Sequence, residues 1–279
     1  MLADAISAYR AALGSRLVAG YALGSLAHGG FSPLVSDVDL GLILQDPLKG
    51  SDRLTIHRVA RAVRVGGSAL HERLSVFWGT PSTLQGRARG GRFPPLDRLD
   101  LLEYGHLLTG SETRRGLARP GQAELLVAGA EFALGQLGGA PKLPERLRGW
   151  ARYGPRNATV LNEIRDPSLL VASGPRHLTK IVLFPVRFLF TAQTGQVGTN
   201  STAVDRYLAN ARGPAAQLVS AASGWRLEPP ADDVAAALVG RELIPLYVHY
   251  IDDHIARLRA VGNHRLADRF RRWRTRLLA

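Results

Sequence analysis

The chain has 279 residues, 46% of them hydrophobic and 21% charged, with no cysteine, a formal net charge of +13 and a pI near 11.0. That composition excludes disorder as the default, and with it disulfides, cysteine-ligated zinc and thiol catalysis. The charge favours anionic partners such as nucleotides or nucleic acid, although only three lysines among 36 basic residues also fits a plain preference for arginine.

In chain order, Leu2, Ile6, Tyr9 and Leu13 have helical spacing. Residues 18–23 read as a short buried strand ending at Gly24. Residues 38–44 (VDLGLIL) read as a second strand, stopped by Asp46-Pro47, and 52–65 return to helical spacing. Residues 74–78 (LSVFW) form a third strand candidate, followed by a loop rich in Gly, Arg and Pro at 79–95 and a helix over 97–108 closed by Thr109-Gly110. From Pro120 onward strand signals almost vanish, and helices are expected near 121–137, 144–151, 157–164, 175–193, 201–210, 230–259 and 264–278. Pro185 should kink the fourth of these. The expected fold is α+β: a small mixed-sheet domain over 1–118, then an all-helical bundle over 119–279, with the active site between them. Neither a secretory signal nor a continuous apolar run of membrane-spanning length is seen, so the expectation is a cytoplasmic protein without a membrane partner.

The chemistry concentrates in ALGSLAHGGFSPLVSDVDLGLIL, residues 22–44. Gly24 ends a strand and lets the backbone approach a ligand, and Ser25 with the amides after it suits a phosphate. After a gap of eleven residues come Asp37 and Asp39, two apart on a strand and so on one face, while Val38 and Leu40 point into the core. Two carboxylates opposite a phosphate cradle make a site for Mg²⁺, which prefers carboxylates, phosphate oxygens and waters.

This stretch resembles the signature of the nucleotidyltransferase (DNA polymerase β-like) superfamily: an apolar residue, Gly, Gly or Ser, a gap, then Asp-apolar-Asp/Glu-apolar. Leu23, Gly24, Ser25, Asp37, Val38, Asp39 and Leu40 match it position by position. The resemblance implies transfer of a nucleoside monophosphate, AMP from ATP first, or from another nucleoside triphosphate, to a hydroxyl group. Asp37 and Asp39 would then be catalytic Mg²⁺ ligands, and Gly24, Ser25, His28 and Ser36 would bind nucleotide. Residues 99–114 and 178–208 are similar to parts of aminoglycoside adenylyltransferases, with Arg187, Thr194, Gly195 and Ala203 at the matching places. That implies a small-molecule acceptor ahead of RNA or protein. Lys180 and Arg187, seven apart on a helix, join the nucleotide-binding set.

Two departures stand out. That family often has Lys or Arg just before the matching Ala, where this chain reads Asn200-Ser201-Thr202. The superfamily also usually has a third carboxylate on a neighbouring strand, where residues 74–78 hold none. Glu72 is the first candidate for that catalytic role, with Asp97, Asp100 and Glu103 behind it. The alternative is a weak or inactive relative that acts by binding a nucleotide, RNA or a partner protein.

The last helix, NHRLADRFRRWRTRLLA, sets Leu266, Phe270, Trp273 and Leu277 on one stripe and six arginines elsewhere. It reads as a packed stripe with solvated arginines, or as an RNA-binding or anionic-surface element. Asp232-Asp233 should cap a helix start and Asp252-Asp253 should face solvent.

Overall fold

The computed structural model describes residues 1–138, 156–210 and 215–279, and side chains are described for these apart from 156–159. The helix expected at 144–151 lies outside the described residues. The chain divides into two compact units, Met1–Pro120 and Gly121–Ala279.

The first unit is built on four strands, β1 (Leu17–Leu23), β2 (Val38–Leu44), β3 (Leu74–Gly79) and β4 (His106–Gly110), in the order β3-β2-β1-β4. β2 and β3 run parallel and the other pairs antiparallel, so the sheet is mixed. Its helices are α1 (Leu2–Leu13), α2 (Gly50–Val65), α3 (Ala69–Glu72), α4 (Pro81–Leu84) and α5 (Pro95–Tyr104).

Alternation along β2 sorts the two faces of the sheet. Val38, Leu40, Leu42 and Leu44 pack with Ile6 and Tyr9 of α1 and Ile56 of α2. On the opposite face Ala19, Tyr21, Leu23 and Ile43 pack with Leu84 and with Leu101 of α5. Gly41 lies on that second face, where an added Cβ would sit 3.0 Å from the Phe93 ring and 3.1 Å from Leu23. Arg16 and Asp52 tie α2 to the foot of β1 through Nη2–Oδ2 at 2.5 Å and Nε–Oδ1 at 3.2 Å. Asp52 also accepts the Lys49 amide at 2.8 Å. Burial pushes the Asp52 carboxyl up, but the Arg16 and Lys49 bonds outweigh it and hold the group below its usual range.

One expectation is corrected here. The helix read over 97–108 ends at Tyr104, and His106–Gly110 is strand β4. A Cβ at Gly105 would lie 2.5 Å from the Leu101 carbonyl, so glycine allows the chain to leave the helix. The open edge of β1 then takes up the apolar residues that follow, and tertiary pairing overrides the local helical pattern.

The second unit is helical throughout its described residues: α6 (Gln122–Gln136), α7 (Arg156–Arg165), α8 (Pro167–Ala172), α9 (Pro175–Thr194), α10 (Asn200–Ala209), α11 (Ala216–Gly224), α12 (Asp232–Ala260) and α13 (His264–Leu278). Pro185 lies inside α9, which continues across it. By length and composition α12 meets the requirement for a membrane span. Here it is a core helix, with Leu243, Leu246, Tyr247, Tyr250 and Ile251 fully buried against α9 and α13. Tyr247 donates to the Ile181 carbonyl at 2.9 Å, and its ring meets Trp273 edge-on at 6.0 Å. Asp232 and Asp233 occupy the first turn of α12, where they suit the helix dipole, but the capping position expected of them is held by Ala231. Asp252 and Asp253 do not simply face solvent: Arg274 bonds the first and Arg257 the second, each at 2.8 Å.

Candidate active site

β1 ends at Leu23, which is paired with Asp39 near the start of β2. The chain turns immediately at Gly24, with φ +60°, into a short 3-10 segment over Gly24–Leu26. A Cβ built on Gly24 would run into an oxygen of the Asp39 carboxylate. Glycine is therefore required twice, once for the left-handed backbone and once because Asp39 occupies the space. Asp37 immediately precedes β2, half-buried like Asp39.

α5 covers this end of the sheet. Its Asp97 and Asp100 are three apart and share a helix face. Asp100 is buried, and its Oδ2 accepts the Gly24 amide at 2.5 Å, a charge-assisted bond that ties the helix to the turn. Asp97, one turn earlier and half-buried, is pushed up to about 8 by burial first and then by the negative charges of Asp39 and Asp100, against a smaller pull from Arg92. Carboxyl groups therefore gather around Asp39, and the crowding favours the protonated form of Asp97. Among the described residues no three acidic or histidine side chains form a closed metal cage. A divalent cation would need oxygens from a bound ligand or water to complete its shell, which is the usual habit of Mg²⁺.

The other sequence candidates fall as follows. Glu72 is the last residue of α3, exposed, and its side chain makes no hydrogen bond or ion pair among the described residues. Asp97 lies in the field of Asp39. On β3 the partner of Asp39 is Ser75, so the neighbouring strand supplies a hydroxyl. Ser36 is buried and its Oγ accepts the Ser32 amide at 3.0 Å, which closes the 32–36 turn. His28 sets its ring edge-on to Tyr104 at 5.4 Å, with Nδ1 3.0 Å from the Gly29 carbonyl. Ser25 follows Gly24 in the 3-10 segment, half-buried.

Lys180 and Arg187 both lie on α9 of the second unit. Arg187 donates to the Gly198 carbonyl at 2.7 Å and so fixes the turn that leads into α10. Arg226 is depressed by burial and then by the charge of Arg187, which places a second guanidinium near the first. Sequence reading did not single out Arg226 or Arg92. The signal for Asp97 and Asp100 was present as two acids three apart on one helix.

Among solved structures, the chain is similar to the crystal structure of spectinomycin adenyltransferase AAD(9) from Enterococcus faecialis with ATP and spectinomycin. The two share 12% identity with a TM-score of 0.53, over 86% of this chain and 98% of that one. No family model matches the chain. No curated protein matches it. At that identity the likeness is one of fold: a mixed-sheet unit followed by a helical unit.

Proposed function

We propose that this protein transfers a nucleoside monophosphate, AMP from ATP first, to a hydroxyl of a small molecule and releases pyrophosphate. The observation that carries the reading is the meeting of Gly24 and Asp39 at the ends of paired strands, with Asp97 and Asp100 of α5 beside them. The fold neighbour, an adenyltransferase solved with ATP and spectinomycin, supports both the nucleotide and a small hydroxylated acceptor.

The donor set suits Mg²⁺: hard carboxylate oxygens whose mutual repulsion a cation relieves. Asp37 and Asp39 would hold it, and when bound it supplies charge neutralisation on the phosphates. The turn at Gly24 and Ser25 receives the phosphates. The acceptor oxygen attacks the α-phosphorus, the bond to pyrophosphate breaks, and the hydroxyl proton passes to Asp97. In the ligand-free protein Asp97 is raised by burial and by neighbouring negative charge, and positive charge entering the site favours its ionised, proton-accepting form. Most of the rate comes from positioning and charge, since little covalent chemistry is asked of the protein.

The test is incubation with α-labelled ATP, Mg²⁺ and pools of hydroxylated small molecules, following pyrophosphate release and label transfer. Thermal melts accompany it, because a ligand that binds only the native state raises the midpoint. Asp37→Ala and Asp39→Ala should each remove the Mg²⁺-ATP shift while leaving the fold intact or slightly more stable. A wild-type midpoint indifferent to Mg²⁺ with every nucleoside triphosphate overturns the proposal. Ser75, standing where an acid would neighbour Asp39, supports a second reading in which the protein binds nucleotide without transferring it. A Mg²⁺-ATP shift without pyrophosphate release in any acceptor pool would favour that reading.

A further inference from the structure

The last helix carries a surface that the proposed reaction does not use. Between residues 254 and 279 the sequence places eight arginines and a single acid, Asp268. Six of them lie on α13, and the structure separates these six into two groups. Arg271 is held by Asp268 at 3.0 Å, Arg274 by Asp252 at 2.8 Å, and Arg276 donates to the Gly138 carbonyl. Arg265, Arg269 and Arg272 have no ion pair among the described residues.

Their spacing of four and then three residues puts these three on one stripe of α13, separated by rises of about 6 and 4.5 Å. Arg265 and Arg272 are exposed and Arg269 is half-exposed. Leu266, Phe270, Trp273 and Leu277 are all buried in the helical core, so the helix is rigidly seated and its apolar face is already used. An amphipathic helix that binds a lipid surface needs that face to insert. What remains is a row of always-charged guanidinium forks on a seated helix, while the aromatic rings Phe270 and Trp273 of α13 are buried. Such a row suits a chain of phosphates and reads no sequence.

We propose that the Arg265–Arg269–Arg272 stripe is a docking surface for the phosphodiester backbone of a nucleic acid, bound without sequence preference. The surface is independent of the transfer chemistry and of the site on the first unit. With three phosphates engaged, the logarithm of the binding constant should fall with the logarithm of salt at a slope of about −2.7 on duplex. That is a loss of about 40-fold between 50 and 200 mM salt.

The test is fluorescence anisotropy of the full chain with a labelled RNA strand and a labelled DNA duplex across that salt range. It compares wild type with Arg265→Gln/Arg269→Gln/Arg272→Gln and with Arg271→Gln/Arg274→Gln, whose side chains are held in ion pairs. Thermal melts check that both variants fold, and vesicles of anionic phospholipid give the lipid arm. The expected result is micromolar binding at low salt whose slope collapses in the triple variant and stays near the wild-type value in the double variant. Three results would overturn the proposal: no nucleic-acid binding at 50 mM salt, equal losses in the two variants, or arginine-dependent binding to vesicles alone.

Discussion

Replacing Gly24 by alanine tests the site geometry directly. The residue sits at φ +60°, where a side chain costs about 1–2 kcal/mol. Alanine also stiffens the unfolded chain, which returns about 0.4–1 kcal/mol. The new methyl meets the Asp39 carboxylate, whose Cγ and Cβ would lie 3.3 and 3.5 Å from it. Turning Asp39 away by a fraction of a rotamer adds about 0.5–1.5 kcal/mol. The net expectation for Gly24→Ala is a loss of about 1–3 kcal/mol, together with a displaced Asp39. Gly29→Ala is the control, because Gly29 has φ +81° and open space around an added Cβ. It carries the backbone strain without the clash. Urea unfolding of both variants, and of Gly24→Ala in an Asp39→Ala background, forms a cycle that isolates the contact. A coupling of about 1 kcal/mol should appear, since Asp39→Ala removes the atoms that the methyl strikes. Gly24→Ala should also lose the Mg²⁺-ATP shift that Gly29→Ala keeps. Equal costs for the two glycines together with zero coupling would refute the placement of Asp39 against Gly24.

Three further outcomes follow from the contacts described. Asp100→Ala leaves the Gly24 amide without its carboxylate acceptor and should cost about 1–3 kcal/mol, while Asp100→Asn, which keeps an acceptor, should recover most of it; urea melts and exchange of the Gly24 amide proton report both. Asp52→Ala removes the carboxylate that holds Arg16 and the Lys49 amide, leaving Arg16 its bond to the Pro47 carbonyl, and should cost about 1–3 kcal/mol in the same melts. His254 is buried and its imidazole is depressed to about 4, by burial against a smaller opposing effect of Asp253. The unfolded chain therefore binds this proton first, near pH 6.5, so stability holds above about 6.5 and falls as pH drops toward 4, by up to about 3 kcal/mol. Melting temperatures at pH 7.5 and 5 should show that fall in wild type and a smaller one in His254→Gln.

Much of the fold was legible because its signals are local. The branched run VDLGLIL, the helical stripe of α13 and the glycine that ends β1 each state their conformation within a few residues. Gly24 was legible for the same reason, as a turn glycine at a strand end, whereas β2 begins only at Val38, so that Asp37 lies outside the strand that its spacing from Asp39 suggested. The residues after Tyr104 were misread because their conformation answers to the open edge of β1 rather than to their own pattern.

Which further acid lies in the field of Asp39 could not be read from spacing alone. Glu72 is nearer in the chain to the strand beside Asp39, yet it ends a short exposed helix. Asp97 lies farther along, but the packing of Leu101 on Tyr21 and Leu23, and the bond from Gly24 to Asp100, bring its helix onto the sheet. The sequence by itself determined which residue types carry charge and where a turn glycine precedes an acid pair. Which further carboxylate those charges feel was decided only by where α5 comes to rest, because electrostatic coupling depends on distance through space and not along the chain.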